Sequence, residues 1–232
     1  MKGLFSRGAA TRVVVLLLFS AQTLAQKYPA PFPRDGARKV QESDSFVVWY
    51  VTWEPGKSTG MHENPLDQVS VFLREGAVKV TMPDGTWSIE QERVGSIRFE
   101  SKGMIDTEEG ASDRPSRAMV FQLKDVEPSH WPITKGISGQ YPRQGAIKLF
   151  ETNRLNLWDD RREIGVRSPL HLHYNQVAGV WLEGGKIRSV SEGKVEVLSK
   201  EPGDVLIGKF RNVPHTEEAV EGVPRIICIE LK

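Results

Sequence analysis

The stretch GVRSPLHLH, residues 165–173, and the stretch GDVLIGKFRNVPH, residues 203–215, decide how this chain is read. In the first, His171 and His173 are two positions apart, a spacing that on a β-strand puts both imidazoles on one face. The second ends on His215, much further along the chain. If a neighbouring strand brings His215 to the same point, the three histidines form a facial set. Three neutral imidazoles suit a divalent transition metal such as Fe, Zn, Mn, Ni or Cu, and they leave coordination positions open for water or substrate. The alternative is two surface histidines and an unrelated third, since a bare His-x-His is a weak motif.

Around these stretches the apolar residues fall in short β-rich runs separated by turn signals such as Pro83-Asp84-Gly85, and no stretch keeps a long helical period. An all-β sandwich or barrel is expected. The runs also repeat. One constant offset (171 − 62 = 109) places His62 on His171, Trp49 on Trp158, Glu54 on Glu163, Gly56 on Gly165, Leu73 on Leu182 and Gly76 on Gly185. The same offset lays Thr107-Glu108-Glu109 on Thr216-Glu217-Glu218. A single ungapped register for all of these indicates an internal duplication.

With Gly165 six residues before His171, and Gly203 opening the run that leads to His215, the pattern resembles the cupin superfamily. The resemblance covers about residues 43–125 and 151–232 and implies a bicupin, two tandem double-stranded β-helix barrels of jelly-roll type. It implies a metal site at His171, His173 and His215 in the second copy. The family's glutamate ligand is replaced there by Val177, and Lys209 and Arg211 stand where the family prefers proline and glycine. In the first copy the ligand positions read His62, Asn64, Gln68 and Asp106, a degenerate site that binds soft metals poorly. It is expected to be a structural polar remnant, with a small polar ligand or an oxygen-preferring ion as alternatives.

The expected organisation is a signal peptide at 1–25, a proline-rich arm at 26–42, a first barrel at 43–125, a linker at 126–150 and a second barrel at 151–232. Lys2, Arg7 and Arg12 precede a short apolar run, and Thr23 and Ala25 suit a cut after Ala25, so export to a periplasmic or extracellular space is expected. An uncleaved anchor is the alternative. The seven apolar residues of Val13 to Phe19 fall short of the roughly 20 that span a bilayer, and after cleavage no stable membrane insertion is expected. The single cysteine, Cys228, excludes an internal disulfide and reads as a buried hydrophobe.

With 31 basic and 30 acidic residues the chain has no net field for nucleic acid, which leaves a small molecule as the expected partner, and homo-oligomerisation stays open. Strand parity points Val177 and Trp181 into the second barrel, so Trp181, Val177 and the histidine-adjacent Tyr174 are candidate pocket residues, with plain core packing as the alternative for Trp181. Arg211 reads as a carboxylate clamp or a solvated charge and His130 as surface packing; no general base is assigned, Tyr174 and the Glu217-Glu218 pair being the nearest candidates, with a solvated loop pair as the other reading of the glutamates. Two functions stay open: a metal-dependent enzyme, dioxygenase-like or a lyase or isomerase, acting on a small anionic or chelating molecule, and a non-catalytic small-ligand or metal-binding protein.

Overall fold

The computed structural model describes residues 28–125, 135–208 and 213–232. The expected signal segment, His130, Lys209 and Arg211 lie outside the described residues. Strands are the only regular elements among those described, and no helix there is long and apolar enough to cross a membrane.

The first half contributes β1 (Ala37–Glu42), β2 (Phe46–Trp53), β3 (His62–Glu63), β4 (Asp67–Arg74), β5 (Gly76–Thr81), β6 (Trp87–Glu92), β7 (Ile97–Glu100), β8 (Ile105–Gly110) and β9 (Ser116–Leu123). They form a five-stranded sheet ordered β1-β2-β9-β4-β7 and a four-stranded sheet ordered β3-β8-β5-β6. The second half contributes β10 (Ser138–Gly139), β11 (Ala146–Glu151), β12 (Leu155–Arg161), β13 (His171–Leu172), β14 (Val177–Ser191), β15 (Lys194–Lys200), β16 (Val205–Ile207) and β17 (His215–Leu231). These join into one curled sheet in which the long strands β14 and β17 pair along nearly their whole length.

Alternation along the strands sends successive side chains to two different cores. Ala178, Val180 and Leu182 of β14, with Ile227 and Ile229 of β17, pack with Phe46, Val48, Val69, Val71 and Phe121 of the first half in one shared apolar cluster. The intervening residues Val177 and Trp181 face the other way, into a cluster with Trp158, Ile187, Ile226 and Cys228. The expected parity of Val177 and Trp181 and the burial of Cys228 therefore hold. In the first half, Val47, Trp49, Val51 and Trp53 face a separate cluster with Phe72 and Val78.

The register read from the sequence recurs in the contacts. His62 pairs with Asp106 across β3 and β8, and His171 pairs with His215 across β13 and β17. The bridges Pro55–Gly110 and Ser58–Glu109 recur as Ile164–Ala219 and Arg167–Glu218. The register also extends beyond the expected boundaries. The segment expected to be an arm carries β1, paired with β2, and the segment expected to be a linker carries β10 and β11, the latter paired with β12. Strands β1 and β11 correspond residue for residue and break register at the same place, between Lys39 and Gln41 and between Lys148 and Phe150. Phe32 stacks on Trp49 at 5.0 Å, and its counterpart Tyr141 stacks on Trp158 at 4.7 Å. Proline-rich flanks and the lack of clean apolar alternation hid the edge strand β1 in the sequence.

Candidate metal centre

His171 lies on β13, His173 just beyond it and His215 at the start of β17, so the cross-strand pair His171–His215 brings the distant third histidine to the first two. All three are buried, and one ring nitrogen from each lies within 4.8 Å of the other two. Nε2 of His173 and Nε2 of His215 are 3.3 Å apart. That separation fits two donors around one ion at bond lengths of about 2.0–2.1 Å in tetrahedral geometry.

The outer nitrogens fix the tautomers. Nδ1 of His171 lies 2.9 Å from the carbonyl of Pro169, and Nδ1 of His215 lies 2.9 Å from that of Val213. A carbonyl can only accept, so the proton sits on Nδ1 and Nε2 presents the lone pair that can ligate. Nε2 of His171 is buried with no hydrogen-bond partner. Burial lowers the pKa of His171 to about 4 and of His173 to about 3, and burial lowers that of His215 too. All three rings are therefore neutral near pH 7, the state that binds a metal. An orphaned lone pair aimed at two further neutral donors fits a transition-metal ion.

Next to the histidines is an ion-pair lattice that sequence reasoning missed. Arg162 contacts Glu217 at 2.9 Å and Asp160 at 3.5 Å, while Arg143 contacts Glu217 at 3.5 Å and pairs closely with Asp160. The expectation that Glu217 solvates a loop is corrected: its side chain is 11% exposed and locked between two arginines. Burial opposes its charge, but Arg162 and Arg143 outweigh burial and hold the carboxyl well below the usual range. Glu218 does pair with the exposed Arg167 and with Arg188, at the rim. Two arginines and two carboxylates cancel, so a dication held by neutral imidazoles would keep its full charge and attract an anion. The sequence repeat held a clue to this lattice, since Arg143 falls on Arg34, which likewise lies near Glu108, the counterpart of Glu217.

A narrow cavity of about 20 Å³, room for one water, adjoins His173 and is lined by Gln140, Arg162, Trp181, Lys200 and Glu217 among others. Trp181 lines this cavity and also packs in the apolar cluster, with Arg162 over its ring at 5.4 Å. The other two pocket candidates do not line this cavity. Val177 packs in the apolar cluster with Trp181, and the Tyr174 hydroxyl donates to the Ile137 carbonyl at 3.0 Å, which ties it to the segment before β10. Sequence reasoning missed Gln140 and Lys200; neither belongs to a motif.

In the first half His62, Asn64, Gln68 and Asp106 are all buried. The surroundings of His62 copy those of His171: Thr59 and the Gly60 carbonyl face its Nδ1 at 3.4 and 3.0 Å, as Ser168 and the Pro169 carbonyl face that of His171 at 3.4 and 2.9 Å. Where His215 would stand, Asp106 lies 3.1 Å from Nε2 of His62. Gln68 donates to Glu100 at 2.6 Å and to Asn64 at 3.3 Å. Three buried carboxylates, Glu92, Glu100 and Glu108, gather around Arg98. These side chains pair with one another, so the positions form an internal polar network rather than a set of converging nitrogen donors.

No protein-family model and no curated protein matches this chain. Solved structures do. A cupin 2 conserved barrel domain protein from Leptotrichia buccalis superposes with a TM-score of 0.53 at 12% identity over 84% of this chain and 88% of its own. A salicylate 1,2-dioxygenase from Pseudaminobacter salicylatoxidans gives 0.60 at 11% identity over 84% and 75%. An oxalate decarboxylase from Bacillus subtilis with Mn(II) centres gives 0.57 at 13% identity over 84% and 72%.

Proposed function

The chain is a cupin-fold β-barrel protein, and from that premise we propose that its second half is a metal-dependent enzyme acting on a small anionic or chelating molecule. The observation that carries this reading is the meeting of three buried, neutral histidines, two of them with outer nitrogens anchored to backbone carbonyls. His171, His173 and His215 would hold a divalent transition metal, which would supply Lewis acidity and lower the pKa of a bound water. The chain's own part is to keep the imidazoles neutral by burial, to fix the tautomers of His171 and His215 through Pro169 and Val213, and to exclude bulk water with Trp181 and the arginine–carboxylate lattice. Dioxygenase-like and lyase or isomerase chemistry both suit such a centre, and fold analogy alone does not choose between them. The narrowness of the cavity favours a second reading, a binding protein that holds metal or a small ligand without turnover. We also read the two halves as copies of one unit, supported by the contacts that recur in a single register.

The test of the site is metal content. Purified protein is expected to hold about one transition-metal ion per chain. His173→Ala should lose nearly all of it, since two ligands cannot hold the ion against a buffer chelator, whereas His62→Ala should retain it. Equal loss in both variants, or full retention in His173→Ala, would overturn the assignment.

A further inference from the structure

The cavity beside His173 is lined by Trp181, Gln140 and Lys200, and each brings a polar atom or a charge that the protein leaves unanswered. Nε1 of Trp181 is a donor on a residue only 2% exposed, and it has no hydrogen-bond partner. Oε1 of Gln140 is an acceptor on a residue 4% exposed, also without a partner, while the Gln140 Nε2 donates to the Tyr141 hydroxyl at 3.1 Å. Lys200, at the end of β15 and half-buried, has no ion-pair partner among the described residues, although Arg162 and Glu217 beside it are paired. Buried polar groups without partners are costly, commonly about 1–3 kcal/mol each, and they persist where a ligand supplies what is missing.

What is missing is specific. Trp181 calls for an acceptor, Lys200 for a negative charge and Gln140 for a donor, and Leu198, Leu206 and Ile187 close the remaining sides. A carboxylate answers the first two, and a hydroxyl on the same molecule answers the third. We propose that this cavity takes a small hydroxy acid of few non-hydrogen atoms, its carboxylate on Lys200 and Nε1 of Trp181 and its hydroxyl on Oε1 of Gln140. At rest the space admits one water, so binding requires the half-buried Lys200 side chain to swing aside and make room while its ammonium stays on the carboxylate. This rests on the metal reading above, because His173 is shared between the cavity and the histidine cluster. It names the substrate class of that site and assigns recognition to Gln140, from the segment between the halves, and to Lys200, from the β14–β15 hairpin.

The probe is glycolate, titrated into the metal-loaded full chain labelled with ¹⁵N, with the Trp181 indole N–H signal identified by its absence in Trp181→Phe. Saturable movement of that signal is expected. Lys200→Met should weaken the affinity tenfold or more, and acetate, which lacks the hydroxyl, should bind several-fold more weakly than glycolate. Lys200→Arg keeps the charge and should recover most of the affinity. An unmoved indole signal, or affinity within about twofold of wild type in Lys200→Met, would overturn the proposal. Metal content measured on the same samples separates the two readings. Protein that holds metal and ignores glycolate sinks the pocket alone, and protein that shifts with glycolate but holds no metal sinks the metal centre alone.

Discussion

At the level of single residues, the two halves fill equivalent positions with opposite electrostatics. His215 is a neutral donor, whereas its counterpart Asp106 is a carboxylate pushed up to about 6, first by burial and then by Glu108. Glu100 rises further, to about 8, again by burial first and by Glu108 next. A carboxyl whose folded pKa lies above its unfolded value binds more protons folded than unfolded between those two values. Its stabilising contribution is therefore complete below about pH 4 and is lost as pH rises towards 8. Glu100→Gln should remove that dependence: between pH 5 and pH 8 the wild type should lose stability relative to the variant, read from urea unfolding at each pH. A difference that stays flat, or has the opposite slope, would show that Glu100 is charged in the folded protein. The three converging histidines were legible in the sequence because histidine is scarce and its spacing met a strand period. Arg98, Glu100 and Glu108 were not, because charged residues on short strands read as a solvated face. Only the packing of the two sheets of the first half turns that face inward.

At the level of elements, two tight approaches explain why the register extends further than the apolar runs indicated. Gly36 precedes β1 with φ at +76°, and a Cβ there would lie 2.7 Å from the Thr52 carbonyl oxygen. Its counterpart Gly145 precedes β11 with φ at +83°, and a Cβ there would press on the Arg161 carbonyl oxygen more closely still. Both bring the chain in from a proline-containing segment to an edge strand, and both need a residue without a side chain. Gly36→Ala and Gly145→Ala should each cost about 1–3 kcal/mol, measured by denaturant unfolding. An effect under about 0.5 kcal/mol in either, the size of an ordinary surface substitution, would mean that the turn relaxes freely. The central strands were readable from their alternation. The edge β1 was not, because Ala37–Glu42 is largely polar, so nothing in its pattern signals a buried face.

At the level of the whole molecule, the cluster shared by β2, β4 and β9 with β12, β14 and β17 makes each half part of the other's core. Phe121 is fully buried there, and Phe121→Ala should cost about 3–5 kcal/mol. Because the cluster is common, that loss should lower a single cooperative transition, with calorimetric and van't Hoff enthalpies in agreement, rather than release the first half alone. Two separate transitions in the wild type would contradict a shared core. The bracing around His62 adds a different consequence. Thr59, the Gly60 carbonyl and the β3–β8 pairing still hold that imidazole as Ser168, Pro169 and the β13–β17 pairing hold His171. The first half is thus a socket with its wiring removed, and grafting Asn64→His and Asp106→His into it should raise the metal content from about one ion per chain to about two, lost again on adding His62→Ala.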